Sequence, residues 1–189
     1  MSVTIRRMAE SDIHPTGDVQ QRAFPRQREC QLYVACNFRA YPRMQYFVAE
    51  QDGRIVGYIL WTYKSGFRAE VVLELEQMAV APDYQGQGIG KRLILESLPL
   101  VIEQMHEAGM RLKHVLVNTR VDNFAQKLYH DTLGAEIAAT VTQLFSHDEV
   151  FMVARDFEES EHYRAMMSRW SKPSASVAAT SAKAEARSG

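Results

Sequence analysis

Apolar and polar residues alternate over 2–8 (SVTIRRM), the period of a β-strand. Asp12 follows in the position of a helix cap, while Pro15 and Gly17 leave the start of that helix undefined. From 26 to 41 the apolar groups Leu32, Tyr33, Cys36 and Ala40 recur at a spacing that predicts a helix burying that face. Residues 45–63 divide into two strands around Asp52-Gly53, a dipeptide suited to a tight hairpin turn. A run rich in Val and Leu over 69–80 predicts a further strand, stopped by Pro82.

The second half continues in the same way. Helical spacing over 89–108 ends at Gly109. Pro99 lacks the N–H that would bond the Leu95 carbonyl, so a kink or two abutting helices is expected. Residues 114–119 predict a strand, and 122–136 a short helix opened by Asp122 or Asn123 and ended by Gly134. The segments 137–145 and 149–157 predict a closing hairpin. Over 158–170, Tyr163, Met166, Met167 and Trp170 form an apolar stripe on a charged helix, a face that docks on this chain's own domain or on a partner. Beyond 173, Ala and Ser dominate, and the tail is expected to be disordered. The chain thus divides into 1–157, 158–172 and 173–189, with no internal repeat at a solenoid period.

Composition narrows the classes of function. A 189-residue chain that is 46% hydrophobic can bury one core. Its net charge of -1 offers no global field for nucleic acid or an anionic membrane. Cys30 and Cys36, six apart, are wrongly spaced for a CxxC pair and read as buried or idle thiols. Six histidines are scattered without a ligand-like pair, so no metal is expected. With no spanning apolar run and no signal-peptide core at the N-terminus, a cytoplasmic location is expected.

The chemistry concentrates in "APDYQGQGIGKRL", residues 81–93, which sets Gly86, Gly88 and Gly90 at every second position between a strand and a helix. A Walker A loop would need GxxxxGK followed by Ser or Thr; here the glycine interval is shorter and Arg92 stands at the hydroxyl position. A dinucleotide fingerprint would need GxGxxG, and Gly88-x-Gly90 continues to Leu93. The pattern Gln/Arg-x-x-Gly-x-Gly/Ala is met by Gln85, Gly88 and Gly90. A diphosphate at such a helix start gains from unpaired N–H groups and the helix dipole, and the glycines let the backbone approach it. Lys91 and Arg92 add cationic reach.

These residues, with "DNFAQKLY" at 122–129 and "LGAE" at 133–136, resemble the GNAT superfamily of acyl-CoA-dependent N-acyltransferases over roughly residues 3–156. The resemblance implies an α/β fold with a mixed, mainly antiparallel sheet flanked by helices, and transfer of an acetyl group from acetyl-CoA to a primary amine by direct attack. It implies that the coenzyme A pyrophosphate lies on Gln85, Gly86, Gln87, Gly88, Ile89, Gly90 and Lys91. It also implies that a backbone N–H among Met78, Ala79 and Val80 receives the carbonyl oxygen, and that Asn118 touches the pantetheine.

Glu74 stands eleven residues before Gln85, the offset of a base in the histone-modifying branch. Glu74 is the candidate base; Glu76, which at strand period shares a face with it and with Met78 and Val80, could instead take the proton of the arriving ammonium or position that group. Two solvated carboxylates are the plain alternative. Tyr129 matches the family's tyrosine, which protonates or hydrogen-bonds the leaving sulfur. Asp122 in place of the usual Asn, and the extra Thr132 before Gly134, depart from the pattern; a core aromatic on the Phe124/Leu128 face is the other reading of Tyr129.

Between 19 and 49 five arginines, Arg22, Arg26, Arg28, Arg39 and Arg43, stand against one acid, Glu29, an excess that suits either an anionic acceptor or plain solvation. The expected partner is an amine, on a small molecule or a protein, and the chain acts as a monomer or homodimer. A non-catalytic acyl-CoA-binding sensor or assembly module is the rival function.

Overall fold

The computed structural model describes residues 2–170. The elements in chain order are β1 (Val3–Arg7), α1 (Ile13–Ala23), α2 (Cys30–Arg39), β2 (Met44–Gln51), β3 (Arg54–Lys64) and β4 (Glu70–Val80). They continue with α3 (Ile89–Glu107), β5 (Arg111–Arg120), α4 (Ala125–Leu133), β6 (Glu136–Val141), β7 (Glu149–Ala154) and α5 (Glu161–Arg169). The strands make one sheet in the order β1-β2-β3-β4-β5-β7-β6. Every neighbouring pair is antiparallel except β4 and β5. This is the mixed, mainly antiparallel sheet flanked by helices that the family resemblance implies. At the β2–β3 turn Asp52 and Gly53 have φ of 50° and 73°, the positive pair that a two-residue hairpin needs.

Strand alternation sorts the apolar residues into two layers. On one face Phe47, Ile59, Trp61, Leu73, Leu75, Val115 and Val117 pack with Leu93, Ile94 and Leu98 of α3. On the other, Tyr46, Val48, Tyr58, Leu60 and Ala79 pack with Val19 of α1 and Val34 of α2. Each such large side chain contributes about 1.5–3 kcal/mol by leaving water. The buried Trp61 indole donates to Ser97 Oγ at 2.8 Å, which fixes α3 over the sheet.

Three local expectations need correction. Pro99 does not divide its helix: α3 runs unbroken, with Pro99 inside it and buried. One backbone bond is lost at the Leu95 carbonyl, and the long buried face of the helix outweighs it. Asp12 precedes α1 but does not cap it with its side chain. Its carboxylate instead accepts from the Ala9 N–H at 2.7 Å and pairs with Arg6 at 2.6 Å. Pro15 falls within the first turn of α1, where its missing N–H costs nothing.

The buried row of α2 is Cys30 and Val34 with Phe38 partly covered, whereas Leu32 is 58% exposed. The face predicted from Leu32, Tyr33, Cys36 and Ala40 is therefore rotated, and Cys36 is exposed. The row that is buried packs on the sheet, Val34 and Phe38 lying in the layer with Tyr46, Val48, Tyr58 and Leu60. A Cβ on Gly17 would stand 2.8 Å from Gln31 Cγ and 3.0 Å from its backbone, so glycine sets how near the helices come.

At the other end, Ser160 Oγ accepts from the Tyr163 N–H at 3.1 Å and starts α5. Met166 is buried, and Tyr163 and Met167 pack against the α3-side core. The predicted disordered tail lies outside the described residues. Among the described residues no helix is long and apolar enough to cross a membrane.

Candidate active site

The parallel ladder between β4 and β5 runs from Glu70 opposite Arg111 to Leu75 opposite Val117, and stops there. Beyond it β4 continues to Val80 paired only with β3, and β5 continues to Arg120 paired only with β7. Two strands at the middle of the sheet therefore part and turn backbone toward each other across a gap. The Ala81 N–H donates to the Val56 carbonyl at 2.8 Å. Alternation then turns the N–H of Ala79 toward β3 and those of Met78 and Val80 toward the gap. Of the three residues expected to offer an oxyanion donor, Ala79 is thereby removed.

A bulge shapes the same strand. Trp61 lies opposite Leu75 and Leu60 opposite Gln77, so Glu76 is the extra residue. The bulge shifts the alternation. Met78 and Val80 pack on the α3-side core, while Ala79 joins the layer under α1 and α2. Glu74 and Glu76 thus do not share a face with Met78 and Val80, contrary to the period-two expectation; they lie on the face of Gln77 and Ala79.

The two carboxyls interact directly. Burial first, and then the charge of Glu74, raises the Glu76 carboxyl above its ordinary range, against the opposing pull of Lys64 and Arg43. Glu74, whose side chain is 14% exposed, lies with Oε2 at 2.6 Å from Lys64 Nζ. That oxygen is enclosed without an aligned hydrogen bond, so the contact is an ion pair only. Thr62 Oγ1 is also buried without a partner, directly across the ladder from Glu74. From α2, Tyr33 approaches this pair: its hydroxyl is raised by burial and by the Glu76 charge. Thr62, Lys64 and Tyr33 carry no motif, and only the ladder register brings them to the carboxylates.

After β4 a short 3-10 turn at Pro82–Tyr84 leads into the glycine segment. Gly86 and Gly88 both have φ of 76°, and a Cβ built on either would meet no atom within 4 Å. Their bareness faces open space rather than the protein's own packing. The first helical bond of α3 runs from the Arg92 N–H to the Gly88 carbonyl, which leaves the N–H groups of Gly88, Ile89, Gly90 and Lys91 without a helical partner. Gly90 differs from the other two. It lies within α3, and a Cβ there would make ordinary contacts with Leu128 at 3.5 Å and Met78 at 3.6 Å.

The side chains beside the turn take different parts. Gln85 Nε2 donates to the Val80 carbonyl at 3.0 Å and braces the turn against β4. Arg92 is held by both oxygens of Glu96, so its cationic reach is spent within α3. Gln87 and Ile89 line a shallow concavity on the β1 side of the turn.

Across the gap, Asn118 Oδ1 is buried and unpartnered at the free end of β5. Tyr129 is 6% exposed within the α3-side core, and burial pushes its hydroxyl up to about 12. None of the described residues gives that hydroxyl a hydrogen bond. Phe124, by contrast, is 96% exposed, so it shares no core face with Tyr129. Asn123, not Asp122, opens α4: its Oδ1 accepts from the Ala125 N–H at 2.9 Å and its Nδ2 donates to Thr119 Oγ1 at 2.7 Å. Asp122 is paired with Arg120 at 2.6 Å.

Of the five arginines, Arg22 is paired with Asp83 at 2.6 Å. Arg26 and Arg28 flank Gln27, whose Oε1 accepts from Gln77 Nε2 at 3.4 Å, so the α1–α2 connection lies over β4 beside the bulge. Neither has an ion-pair partner among the described residues.

The arrangement holds an orphaned buried amide oxygen, open space at two positive-φ glycines and a row of uncommitted N–H groups. These fit an extended ligand that carries a diphosphate at the turn and an amide-bearing arm in the gap. Comparison with known proteins agrees with this geometry. The sequence is 32% identical over 101 residues to the L-amino acid N-acyltransferase MnaT of Escherichia coli, covering 51% of this chain and 53% of that one. The fold matches that of the ribosomal-protein-S18-alanine N-acetyltransferase from Escherichia coli, with a TM-score of 0.63, 22% identity, and 85% and 97% of the two chains covered. It matches equally yncA, a Salmonella typhimurium protein solved with acetyl-CoA, with a TM-score of 0.63, 22% identity, and 82% and 94% covered. The sequence model of the Acetyltransferase (GNAT) family matches residues 13–135, from the start of α1 to the end of α4, and the chain belongs to that family.

Proposed function

We propose that this protein is an acetyl-CoA-dependent N-acetyltransferase that acetylates a primary amine by direct attack, with both substrates bound at once. The observation that carries the reading is the parting of β4 from β5 beside a turn whose N–H groups are uncommitted. Acetyl-CoA would supply an acyl carbon and a sulfur that leaves with the electron pair of the broken bond. Gly88 to Lys91 would hold its diphosphate, and Asn118 Oδ1 an amide N–H of its arm.

The remaining work falls to this chain's own groups. The N–H of Met78 or Val80 donates toward oxygen that gains charge, in a gap where low dielectric strengthens the bond. Glu76 is the better base of the two carboxylates: its raised affinity for a proton suits it to take one from an ammonium, while Glu74 is held by Lys64. Tyr129, whose hydroxyl burial pushes up to about 12, keeps its proton and donates a hydrogen bond to the departing thiolate, which takes its proton from water on release. The relative that acts on L-amino acids, together with the unpaired Arg26 and Arg28 beside Gln77, supports an acceptor that carries a carboxylate. A screen of free amino acids, peptides and simple amines, read by thiol released from acetyl-CoA, tests the proposal. Release only with carboxylate-bearing amines is expected; none with any amine would leave a binding protein without turnover.

A further inference from the structure

On the side of the sheet that α1 and α2 cover, Thr62 and Lys64 follow Tyr58 and Leu60 along β3. The register sets Thr62 directly opposite Glu74 and Lys64 opposite Val72. Lys64 therefore stands two residues short of Glu74 along β4 and four short of Glu76. The first interval is about 7 Å of strand and the second about 13 Å, which is too long for a four-carbon stem. The ion pair forms accordingly, with Lys64 Nζ 2.6 Å from Glu74 Oε2.

The two ends of that pair are unequally covered. The Lys64 side chain is 40% exposed and that of Glu74 14%, and the paired oxygen is enclosed. Among the described residues no other cation pairs with this carboxylate. The Thr62 hydroxyl across the ladder is buried but makes no hydrogen bond to it. Arg43, the second cation whose charge Glu76 feels, forms no ion pair among the described residues.

Taking a proton is then unequal between the carboxylates. To protonate Glu74 is to break a partly buried ion pair and leave the ammonium without its partner. Glu76, the bulged residue, has no ion-pair partner among the described residues and is more open than Glu74. The charged and titratable groups around it are Glu74 on its own strand, Lys64 on β3, Arg43 before β2, and the hydroxyls of Tyr33 on α2 and Tyr46 on β2.

We propose that Lys64 is a positioning residue that assigns the two carboxylates their parts: it holds Glu74 as a fixed charge, so that Glu76 alone is left to receive the proton of the acceptor amine. The inference rests on the reading of Glu76 as the base and names the residue that makes it so. Without Lys64, Glu74 is free and the two carboxylates become interchangeable.

A double-mutant cycle tests this, with thiol release followed on the best acceptor of the amine screen. Glu76→Gln slows the wild type about 10²–10⁴-fold. In the Lys64→Met background the same change costs about tenfold less, because Glu74 takes the vacant part. Lys64→Met alone moves the rising limb of the pH–rate profile to higher pH, since a positive charge that eased the loss of the Glu76 proton is gone. Lys64→Arg keeps both the limb and the rate. Carboxyl-carbon NMR titration of the free full chain reads the assignment without any acceptor: Glu76 loses its proton at higher pH in Lys64→Met than in the wild type. Lys64→Gln replaces the Met variant if thermal unfolding shows that one to be unfolded. Equal Glu76→Gln losses in the two backgrounds, or a Glu76 titration unmoved by the loss of the Lys64 charge, overturns the part given to Lys64 and leaves Glu76 as the base. A Glu76→Gln chain that keeps the wild-type rate removes the base reading itself.

Discussion

Gly88→Ala separates a glycine needed for a ligand from one needed for the fold. Gly88 has φ of 76° and Gly53, in the β2–β3 hairpin, 73°, and a Cβ on either meets nothing within 4 Å. The protein's own cost is therefore the same at both sites: the strain of a left-handed alanine, about 1–2 kcal/mol. For a chain of this size each kcal/mol lowers Tm by about 2–4 °C, so both variants melt some 2–8 °C early. Their coenzyme affinities should part company. The new methyl at 88 stands in the space through which the free N–H groups reach a phosphate, and losing one such charged contact costs about 1.5–3 kcal/mol, tenfold to about a hundredfold in Kd. Gly53→Ala leaves Kd unchanged. Gly90→Ala, inside α3 with room for its Cβ, gains about 0.5–1 kcal/mol of stability. Differential scanning calorimetry and titration with coenzyme A read both quantities. A Gly88→Ala chain that binds as tightly as Gly53→Ala would show that the turn cradles nothing.

Four further variants test the site. Glu76→Gln lowers kcat about 10²–10⁴-fold. In the wild type the rate rises with pH as the Glu76 carboxyl loses its proton, above the ordinary carboxylate range. Because the Glu74 charge is one cause of that elevation, Glu74→Gln moves the rising limb to lower pH, and an unmoved limb in a pH–rate profile would deny the coupling. Tyr129→Phe slows thiol release tenfold or more, with coenzyme affinity and Tm nearly unchanged, since the hydroxyl bonds no described residue. Asn123→Ala costs about 1 kcal/mol through the lost hydrogen bonds to the Ala125 N–H and Thr119 Oγ1, seen as a lower midpoint in urea, and loosens the α4 start that positions Tyr129.

What the sequence discloses and what it conceals have physical reasons. The Asp52-Gly53 hairpin and the glycine turn are legible because positive φ restricts which residues can stand there. The strands are legible because burial on both faces selects Val, Leu and Ile. A bulge leaves no such mark: the extra residue at Glu76 obeys local preferences, and only the register against β3 shows the alternation shifting there. The rotated face of α2 is hidden likewise, since Cys30, Val34 and Phe38 are no more apolar along the chain than Leu32, Tyr33 and Cys36, and only packing on the sheet selects between the rows. Thr62 and Lys64 reach Glu74 from another strand, a proximity that spacing along the chain does not carry.

The parting of β4 and β5 also divides the polypeptide in time. Everything on one side of the cleft, β1 to β4, is encoded before residue 81, and everything on the other, β5 to β7, after residue 110. A growing chain emerging from the ribosome can assemble the first four strands as an antiparallel meander of neighbours. The cleft has only one bank until β5 arrives by the long crossover through α3. A ligand held across the parted strands can therefore act on stability only after β5 has joined the sheet, as a clasp between two banks and never as a template for β1 to β4.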